Sequence, residues 1–411
     1  MIAEIKKSSK RSGDITISGS KSISNRLLII QHLSDNHFEI NNLSTSRDTI
    51  VLHSLLNNKG GVFYAEDGGT TSRFLLPLLC LMDGEQKLTA SDQLSKRPIE
   101  PLVNALAELG AIIEYQENKG ELPLLVKSSE LRGGKISVRG DVSSQFISAL
   151  MLIAPYLRGG LNIELETDLV SSSYVTLTSD LMIKFGAEVS WKENRIIIHE
   201  GSYKSPSAEY IVEGDWSSAS FFIALGAVLE NCKLRLIGLD PGSSQGDRKI
   251  VDILNSKWIS VDHSGSTLDL KNIDTTLGSE ELIDLKSTPD LFPPLAACYA
   301  LNNTNVTFSG LTHLVYKESD RFGSMKTELK KVACEIRRED DKIVLETKND
   351  DLNRDIAFNA HQDHRIAMAC ALFAVKYRSV RIHDAEVVKK SNGDFWTQLG
   401  SIGFDVRLLP D

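Results

Sequence analysis

One local pattern recurs six times along the chain and limits what it can fold into. A strand-like segment ends in a small polar cluster, and an apolar, Ala/Leu-rich helix begins there. The copies are GSKSISNRLLIIQHL, DGGTTSRFLLPLLC, GDVSSQFISALMLIAPYL, GDWSSASFFIALGAVL, TPDLFPPLAACYAL and QDHRIAMACALFAV. Asp141, Asp215, Asp290 and Asp363 follow one another at 74, 75 and 73 residues, and Thr70 to Ser143 is again 73. Ser22 to Thr70 is only 48, so the first of the six units is shortened or interrupted. A second amphipathic helix and further strands fill each interval, as in 100–109 with 111–115 and 174–185 with 188–199. Each unit therefore reads β-α-β-α-β-β. A period near 73 exceeds that of common solenoids, whose repeats run about 20–50 residues. It suits a small α/β module duplicated within a domain. Six modules in 411 residues make two domains of three modules the economical arrangement.

The first unit opens on Gly19-Ser20-Lys21-Ser22-Ile23-Ser24-Asn25-Arg26, between a strand expected at 14–18 and an apolar helical run at 27–33. Small and hydroxyl residues at a strand-to-helix junction expose backbone N–H groups, and the helix dipole favours an anion there. Lys21 and Arg26 add full charges. A phosphate or carboxylate cradle and an ordinary Ser-capped helix with two solvated cations both fit this stretch. It is not a Walker A loop, because Ser20 separates the glycine from the lysine.

Any anion site is a local cationic cluster, since the net charge of −9 argues against nucleic acid as a partner. Residues 1–10 are polar and lack the apolar core of a signal peptide. The apolar runs at 146–157 and 221–229 are too short to span a bilayer, so no membrane partner is expected. Five scattered cysteines without a C-x-x-C pair fit a reducing cytoplasm and supply no zinc site.

Other junctions carry chemistry-bearing residues. Ser143-Ser144-Gln145 offers hydroxyls and an amide, and Gly68-Gly69-Thr70-Thr71 allows close backbone approach, though plain N-capping explains either. Tyr316-Lys317-Glu318-Ser319-Asp320-Arg321 is the densest charge cluster, with Lys317 and Arg321 expected on one helical face. It reads as a proton-handling group or as a solvated helix entrance. Asp290, heading an apolar helix, reads as a general base or an N-cap. His361, Asp363 and His364 form a weak metal signature, and no metal is expected. Arg365 at the head of an apolar helix opposes the dipole and needs an anionic partner. With Arg73, Arg97 and Lys390 also near junctions, convergence of these cations would suit two anionic small molecules.

In order and spacing, GSKSISNR, GGTTSR, RPIEPLVNAL, GDVSSQFISAL, EGDWSSAS, QGD, TPD, KESDR and DHRIAM resemble the motifs of the 3-phosphoshikimate 1-carboxyvinyltransferase (5-enolpyruvylshikimate-3-phosphate synthase) family, from about Gly19 to Lys390. The resemblance implies an α/β fold of two domains, each an inside-out α/β barrel of three β-α-β-α-β-β units. Residues 1–20 with 213–411 would form one domain and residues 21–212 the other. It implies transfer of the enolpyruvyl group of phosphoenolpyruvate to shikimate 3-phosphate, with release of phosphate, and no cofactor. A cytoplasmic monomer is expected. By resemblance Lys21 meets both substrates. Ser22, Arg26, Ser143, Ser144, Ser171, Tyr174, His313 and Lys317 would contact shikimate 3-phosphate, with Gln145 between the two substrates. Gly69, Arg97, Arg321, Arg365 and Lys390 would hold phosphoenolpyruvate. Asp290 would serve as acid/base toward the 5-hydroxyl, and Glu318 would protonate the methylene carbon.

The chain departs from the family pattern at three places. Asp67 stands where a neutral amide is usual, Phe74 where a proline is usual, and His313 where asparagine is common. An altered affinity for phosphoenolpyruvate is expected from the charge of Asp67. The competing readings are an enolpyruvyl transferase acting on UDP-N-acetylglucosamine and a non-catalytic anion-binding protein of the same fold. The first typically uses a loop cysteine, and none lies near Arg97. The second is disfavoured by the joint presence of Lys21, Asp290, Glu318 and Lys390.

Overall fold

The apolar segments of the repeats become buried helices. Trp216–Val228, Phe292–Leu301 and His364–Ala371 are buried along nearly their whole length, and so are Gly69–Leu79 and Ser144–Ile153. Helices apolar on every face have no side to give to water, so they take the middle of the fold. The strands alternate instead. Lys233–Ile237 turns Leu234 and Leu236 inward and Lys233 and Arg235 outward, as a sheet with one wet face requires.

The structure, a computed structural model, describes residues 1–7, 12–273, 281–348 and 350–410. Part of the polar N-terminal stretch, residues 8–11, lies outside that set. The chain divides into two units, Met1–Ser18 with Glu213–Asp411, and Gly19–Val212. Each has its own apolar core, one built around Phe221, Phe222, Leu295 and Ile366, the other around Leu27, Leu75, Phe146 and Leu150.

The described residues form five four-stranded sheets and one two-stranded sheet. In the sheet starting at Gly61–Tyr64, that strand runs parallel to Glu85–Thr89, with the helix Gly69–Leu79 between them in sequence. Helix Glu100–Glu108 follows, and then the hairpin of Ile112–Tyr115 and Leu124–Lys127, whose second strand lies against Glu85–Thr89. This is the β-α-β-α-β-β order expected from the sequence. Two of the six repeats complete themselves by other means. The N-terminal strand Ile2–Lys6 fills the last sheet, between Ser379–His383 and Asp405–Leu409. Among the described residues the first of the six repeats has only Glu39–Asn41 beside Glu209–Ile211 and no hairpin, which accounts for its short spacing.

The two places where the chain changes units exchange their helices. Strand Ser12–Thr16 pairs with Lys233–Ile237 in the first unit, but the next helix, Lys21–Leu33, belongs to the second. Strand Glu209–Ile211 pairs within the second unit, and its following helix Trp216–Val228 belongs to the first. Asn42 holds both ends on the second-unit side. Its Nδ2 donates to the Val212 carbonyl at 2.7 Å, and its own carbonyl would lie 1.8 Å from a Cβ on Gly19. Only glycine fits there without moving the backbone. Gly19→Ala is expected to lower the denaturant midpoint of unfolding by an amount equivalent to about 1–3 kcal/mol, read from equilibrium melts.

Candidate active site

In the second unit the site is assembled around Arg26. Helix Lys21–Leu33 starts at the Ser20 cap, whose hydroxyl takes the Ile23 N–H, six residues earlier than the apolar run alone suggested. Arg26 is buried one turn in. Its Nε donates to Thr178 Oγ1 at 2.7 Å and its Nη1 to the Ser22 carbonyl at 2.8 Å. Its Nη2 donates to Ser148 Oγ at 3.3 Å and the Tyr174 carbonyl at 3.0 Å. The rings of Phe74 and Tyr174 lie 5.3 and 6.0 Å from its guanidinium carbon. One arginine thus joins four helices. Burial lowers its pKa to about 10, which leaves it charged at neutral pH with only neutral partners. Most of its donors are already used inside the unit, so its value to a ligand is charge more than direct hydrogen bonding.

Gln145 is held in the same way. Arg73 Nη1 donates to its Oε1 at 2.5 Å, and its Nε2 donates to Thr70 Oγ1 at 3.2 Å. Helix Gly69–Leu79 lacks a side-chain cap, leaving its first N–H groups unused by capping. A Cβ at Gly69 would meet Arg97 Nη1 at 2.7 Å, so glycine makes room for that guanidinium. Lys21 Nζ lies 3.7 Å from Asp48 Oδ2. Ser143 caps helix Ser144–Ile153 by accepting from Gln145 N at 3.3 Å, and Ser144 is buried beside it. Ser171 precedes helix Ser172–Lys184 in the left-handed region at φ 53°, a strained backbone for a non-glycine residue.

In the first unit the centre is Arg321, wholly buried and held by three carboxylates. Its Nη1 donates to Asp290 Oδ1 at 2.6 Å, its Nη2 to Glu318 Oε2 at 2.5 Å and its Nε to Asp363 Oδ2 at 2.8 Å. Burial opposes its charge, but Asp363, Glu318 and Asp290 together outweigh that and raise its pKa. Arg365 Nη2 donates to Asp290 Oδ2 at 2.9 Å and its Nη1 donates to Ser217 Oγ, which supplies the anionic partner its position demanded. Lys317 Nζ stands 3.7 Å from Asp290 Oδ1. Burial lowers the lysine pKa; Asp290 opposes the shift and Arg321 adds to it.

Two local expectations give way here. Asp290 is no helix cap: it sits in the short turn Pro289–Leu291, and its carboxylate is spent on Arg321 and Arg365. Lys317 and Arg321 do not share a helical face. Asp320 accepts from Gly323 N at 3.2 Å and starts the helix at Arg321, leaving Lys317 in extended backbone before it. Lys390 ends the turn Ala385–Lys390 and makes no ion pair among the described residues. His361 Nε2 bonds Glu328 Oε1 at 2.7 Å, and no group of three or more His, Cys, Asp or Glu among the described residues is arranged to hold a metal.

The sequence did not single out Asp48, Asp363 or Ser217 for these contacts. Asp363 does two jobs, capping Arg365 N at 2.9 Å with one oxygen and holding Arg321 with the other. A cap followed two residues later by a buried arginine was the available signal.

His313 is buried, and its pKa is lowered to about 3, first by desolvation and then by Lys317. It is therefore neutral at neutral pH and leaves the local charge as asparagine would. In the unfolded chain it protonates below about 6.5. The stability it contributes is present above that pH and is lost as pH falls from 6.5 toward 3. His313→Asn is expected to reduce the acid destabilisation by about 1.4 kcal/mol at pH 5.5, measured as the difference between denaturant melts at pH 7.5 and 5.5.

Comparison with known proteins identifies the family. The sequence profile of EPSP synthase (3-phosphoshikimate 1-carboxyvinyltransferase) matches residues 5–68 and 51–399. The 3-phosphoshikimate 1-carboxyvinyltransferase of Bacteroides fragilis strain YCH46 is 35% identical over 398 residues, covering 96% of either chain. That of Mannheimia haemolytica is 31% identical over 427 residues, covering 95% of this chain and 96% of that one. Among solved structures, EPSP synthase from Acinetobacter baumannii superposes with a TM-score of 0.80 at 21% identity, over 99% of this chain and 100% of that one. The enolpyruvyl transferase NikO from Streptomyces tendae gives 0.77 at 17% identity, over 99% and 98%. The last two likenesses speak for the fold. The profile match and the full-length relatives decide the family: the chain belongs to the EPSP synthase (3-phosphoshikimate 1-carboxyvinyltransferase) family.

Proposed function

We propose that the enolpyruvyl transfer of this family is carried out here by Asp290 and Glu318, within a frame of arginines and lysines that binds the two substrates. The chain is an enolpyruvyl transferase of the shikimate pathway. Its substrates are phosphoenolpyruvate and shikimate 3-phosphate, joined at the 5-hydroxyl with release of phosphate. The observation that carries the residue assignment is Asp290, a buried carboxylate shared by Arg321 and Arg365 with Lys317 beside it.

The steps follow from charge and proton balance. Glu318, as the acid, gives its proton to C3 of phosphoenolpyruvate, and C2 gains cationic character. The 5-hydroxyl attacks C2 while Asp290 takes its proton. The tetrahedral intermediate carries a carboxylate and two phosphates. Guanidinium and ammonium groups stabilise that charge throughout. Glu318 then removes a proton from the C3 methyl, the C2–O bond to phosphate breaks, and Asp290 returns its proton to the departing phosphate. Both residues end as they began.

Arg321, Arg365, Arg97, Gly69 and Lys390 are assigned to phosphoenolpyruvate. Ser22, Arg26, Ser143, Ser144, Ser171, Tyr174 and His313 are assigned to shikimate 3-phosphate, with Lys21 and Gln145 serving both. Since carboxylates already occupy Arg321 and Arg365, the incoming anion competes with Asp290 for them. That competition loosens Asp290 and readies it to accept a proton. A thiol acid, as in the UDP-sugar branch, is disfavoured because all five cysteines are free and buried, and burial raises the Cys80 thiol to about 12. Free thiols also suit a reducing compartment, in keeping with a cytoplasmic enzyme.

Phosphate release with phosphoenolpyruvate and shikimate 3-phosphate, and none with UDP-N-acetylglucosamine, is the expected assay result; the reverse pattern would reassign the substrate. Glu318→Gln should lower kcat about 10²–10⁴-fold while shikimate 3-phosphate still binds in calorimetry. Near-normal turnover would remove Glu318 from the proton transfer. Asp67 is exposed and accepts from the Ser91 hydroxyl, so water and salt screen its charge. Asp67→Asn should change the KM for phosphoenolpyruvate by less than about threefold.

A further inference from the structure

The scheme above makes no use of His361, although it stands two residues before the aspartate that grips Arg321. Its Nε2 meets Glu328 Oε1 at 2.7 Å, and the Glu328 side chain is only 1% exposed. The other oxygen, Oε2, accepts from Asn359 N at 3.1 Å and from Lys331 Nζ at 2.6 Å. Asn359 Oδ1 in turn accepts from His361 N at 2.8 Å. One buried carboxylate therefore holds the loop 359–361 at two points, a backbone N–H and an imidazole.

That loop needs holding. His361 and Gln362 both lie in the left-handed region, at φ 51° and 56°, and neither is glycine. Such a backbone persists only where its surroundings over-determine it, and strain of this kind gathers at functional sites. Gln362 is exposed, and the anchors lie on either side of it: His361 on Glu328, and Asp363 N on the Ala360 carbonyl at 2.9 Å. Released, the two residues would relax toward right-handed conformations, and the direction of the chain into Asp363 would change with them.

Glu328 and Arg321 belong to one helix, Arg321–Lys330, and stand two turns apart on the same face, about 10 Å along the axis. The helix thus meets the loop twice. Glu328 holds 359–361, and Arg321 Nε donates to Asp363 Oδ2 at 2.8 Å. We propose that Glu328 and His361 are positioning residues for the reaction: their bond ties the loop to the helix and so fixes Asp363 where it aligns the Arg321 guanidinium for phosphoenolpyruvate. The inference rests on the assignment of Arg321 to phosphoenolpyruvate made above. The guanidinium is a rigid plane, so its Nε bond to Asp363 sets the direction in which both Nη groups point. A displaced Asp363 turns that plane, and the Nη groups no longer meet an anion in line.

The test compares the wild-type enzyme with His361→Ala and His361→Gln, by steady-state kinetics in both substrates and by amide hydrogen exchange over 361–367. His361→Ala should raise the KM for phosphoenolpyruvate about three- to tenfold and leave that for shikimate 3-phosphate within about twofold. Exchange over 361–367 should quicken in the same variant. His361→Gln can still donate an N–H to Glu328, so it should restore both the KM and the slow exchange. Faster exchange with an unchanged KM for phosphoenolpyruvate would make the pair a purely structural one and overturn the proposal. An equal rise in both KM values would overturn it as well. If His361→Ala fails to fold, the decision passes to Asn359→Ala, an exposed position, which removes the acceptor of His361 N and should raise the same KM. No change there overturns the proposal. Absence of any wild-type turnover with shikimate 3-phosphate would overturn the proposed function itself, and this inference with it.

Discussion

A buried guanidinium cannot stay charged without partners, and Arg321 shows what that requirement imposes. Its three bonded carboxylates come from three separate stretches of chain: the turn at Asp290, the extended run at Glu318 and the cap at Asp363. Removing one partner would leave charge uncompensated in the interior, at a cost of about 3–5 kcal/mol. The geometry is therefore fixed from all three sides. Asp363 extends that constraint to the next arginine, because its second oxygen caps the helix on which Arg365 lies.

The second unit solves the same problem differently. Arg26 is as deeply placed, but its partners are hydroxyls and carbonyls. Arg73 likewise spends its donors on an amide oxygen and the Pro98 carbonyl. Neutral partners satisfy the hydrogen bonds and leave the charge standing. The partners of Arg321 cancel it. The charge of Arg26 thus stands among neutral partners, while that of Arg321 sits among carboxylates. The repeated module supplies similar helix starts in each unit, and the side chains at those starts make the two environments differ.

The module itself was legible because its signals are local. A small polar cap followed by an apolar run specifies a buried helix, and regular spacing specifies the repeat. The missing hairpin of the first unit was visible as a step of 48 residues instead of 73. That the N-terminal strand closes the last sheet was not visible, since strand pairing over nearly 400 residues leaves no local trace. Within the site, residue types and family motifs pointed to Arg321, Arg365, Asp290 and Glu318. Their mutual contacts could not be read, because a capping aspartate and a salt-bridged one look alike in sequence. Asp290 and Asp363 occupy equivalent places in the repeat, yet only Asp363 caps its helix. Pro289 decides the difference locally, by opening a short turn before the helix instead of a capped start.

The displaced aspartate shows how one copy of a repeated position is freed for the chemical role proposed for it. At Asp215 and Asp363 the carboxylate is committed to backbone N–H groups, Ser218 in one case and Arg365 in the other. A base committed to its own backbone cannot leave it without unwinding the first helical turn. Asp290 instead meets the side chains of Arg321 and Arg365, and those side chains can turn toward another anion at the cost of a rotamer. On the assignment proposed above, a phosphate offered to Arg321 and Arg365 replaces Asp290 with another anion, so the arginines stay paired while the carboxylate is released. The ion pairs that hold Asp290 in place are then, on that assignment, the ones a substrate exchanges.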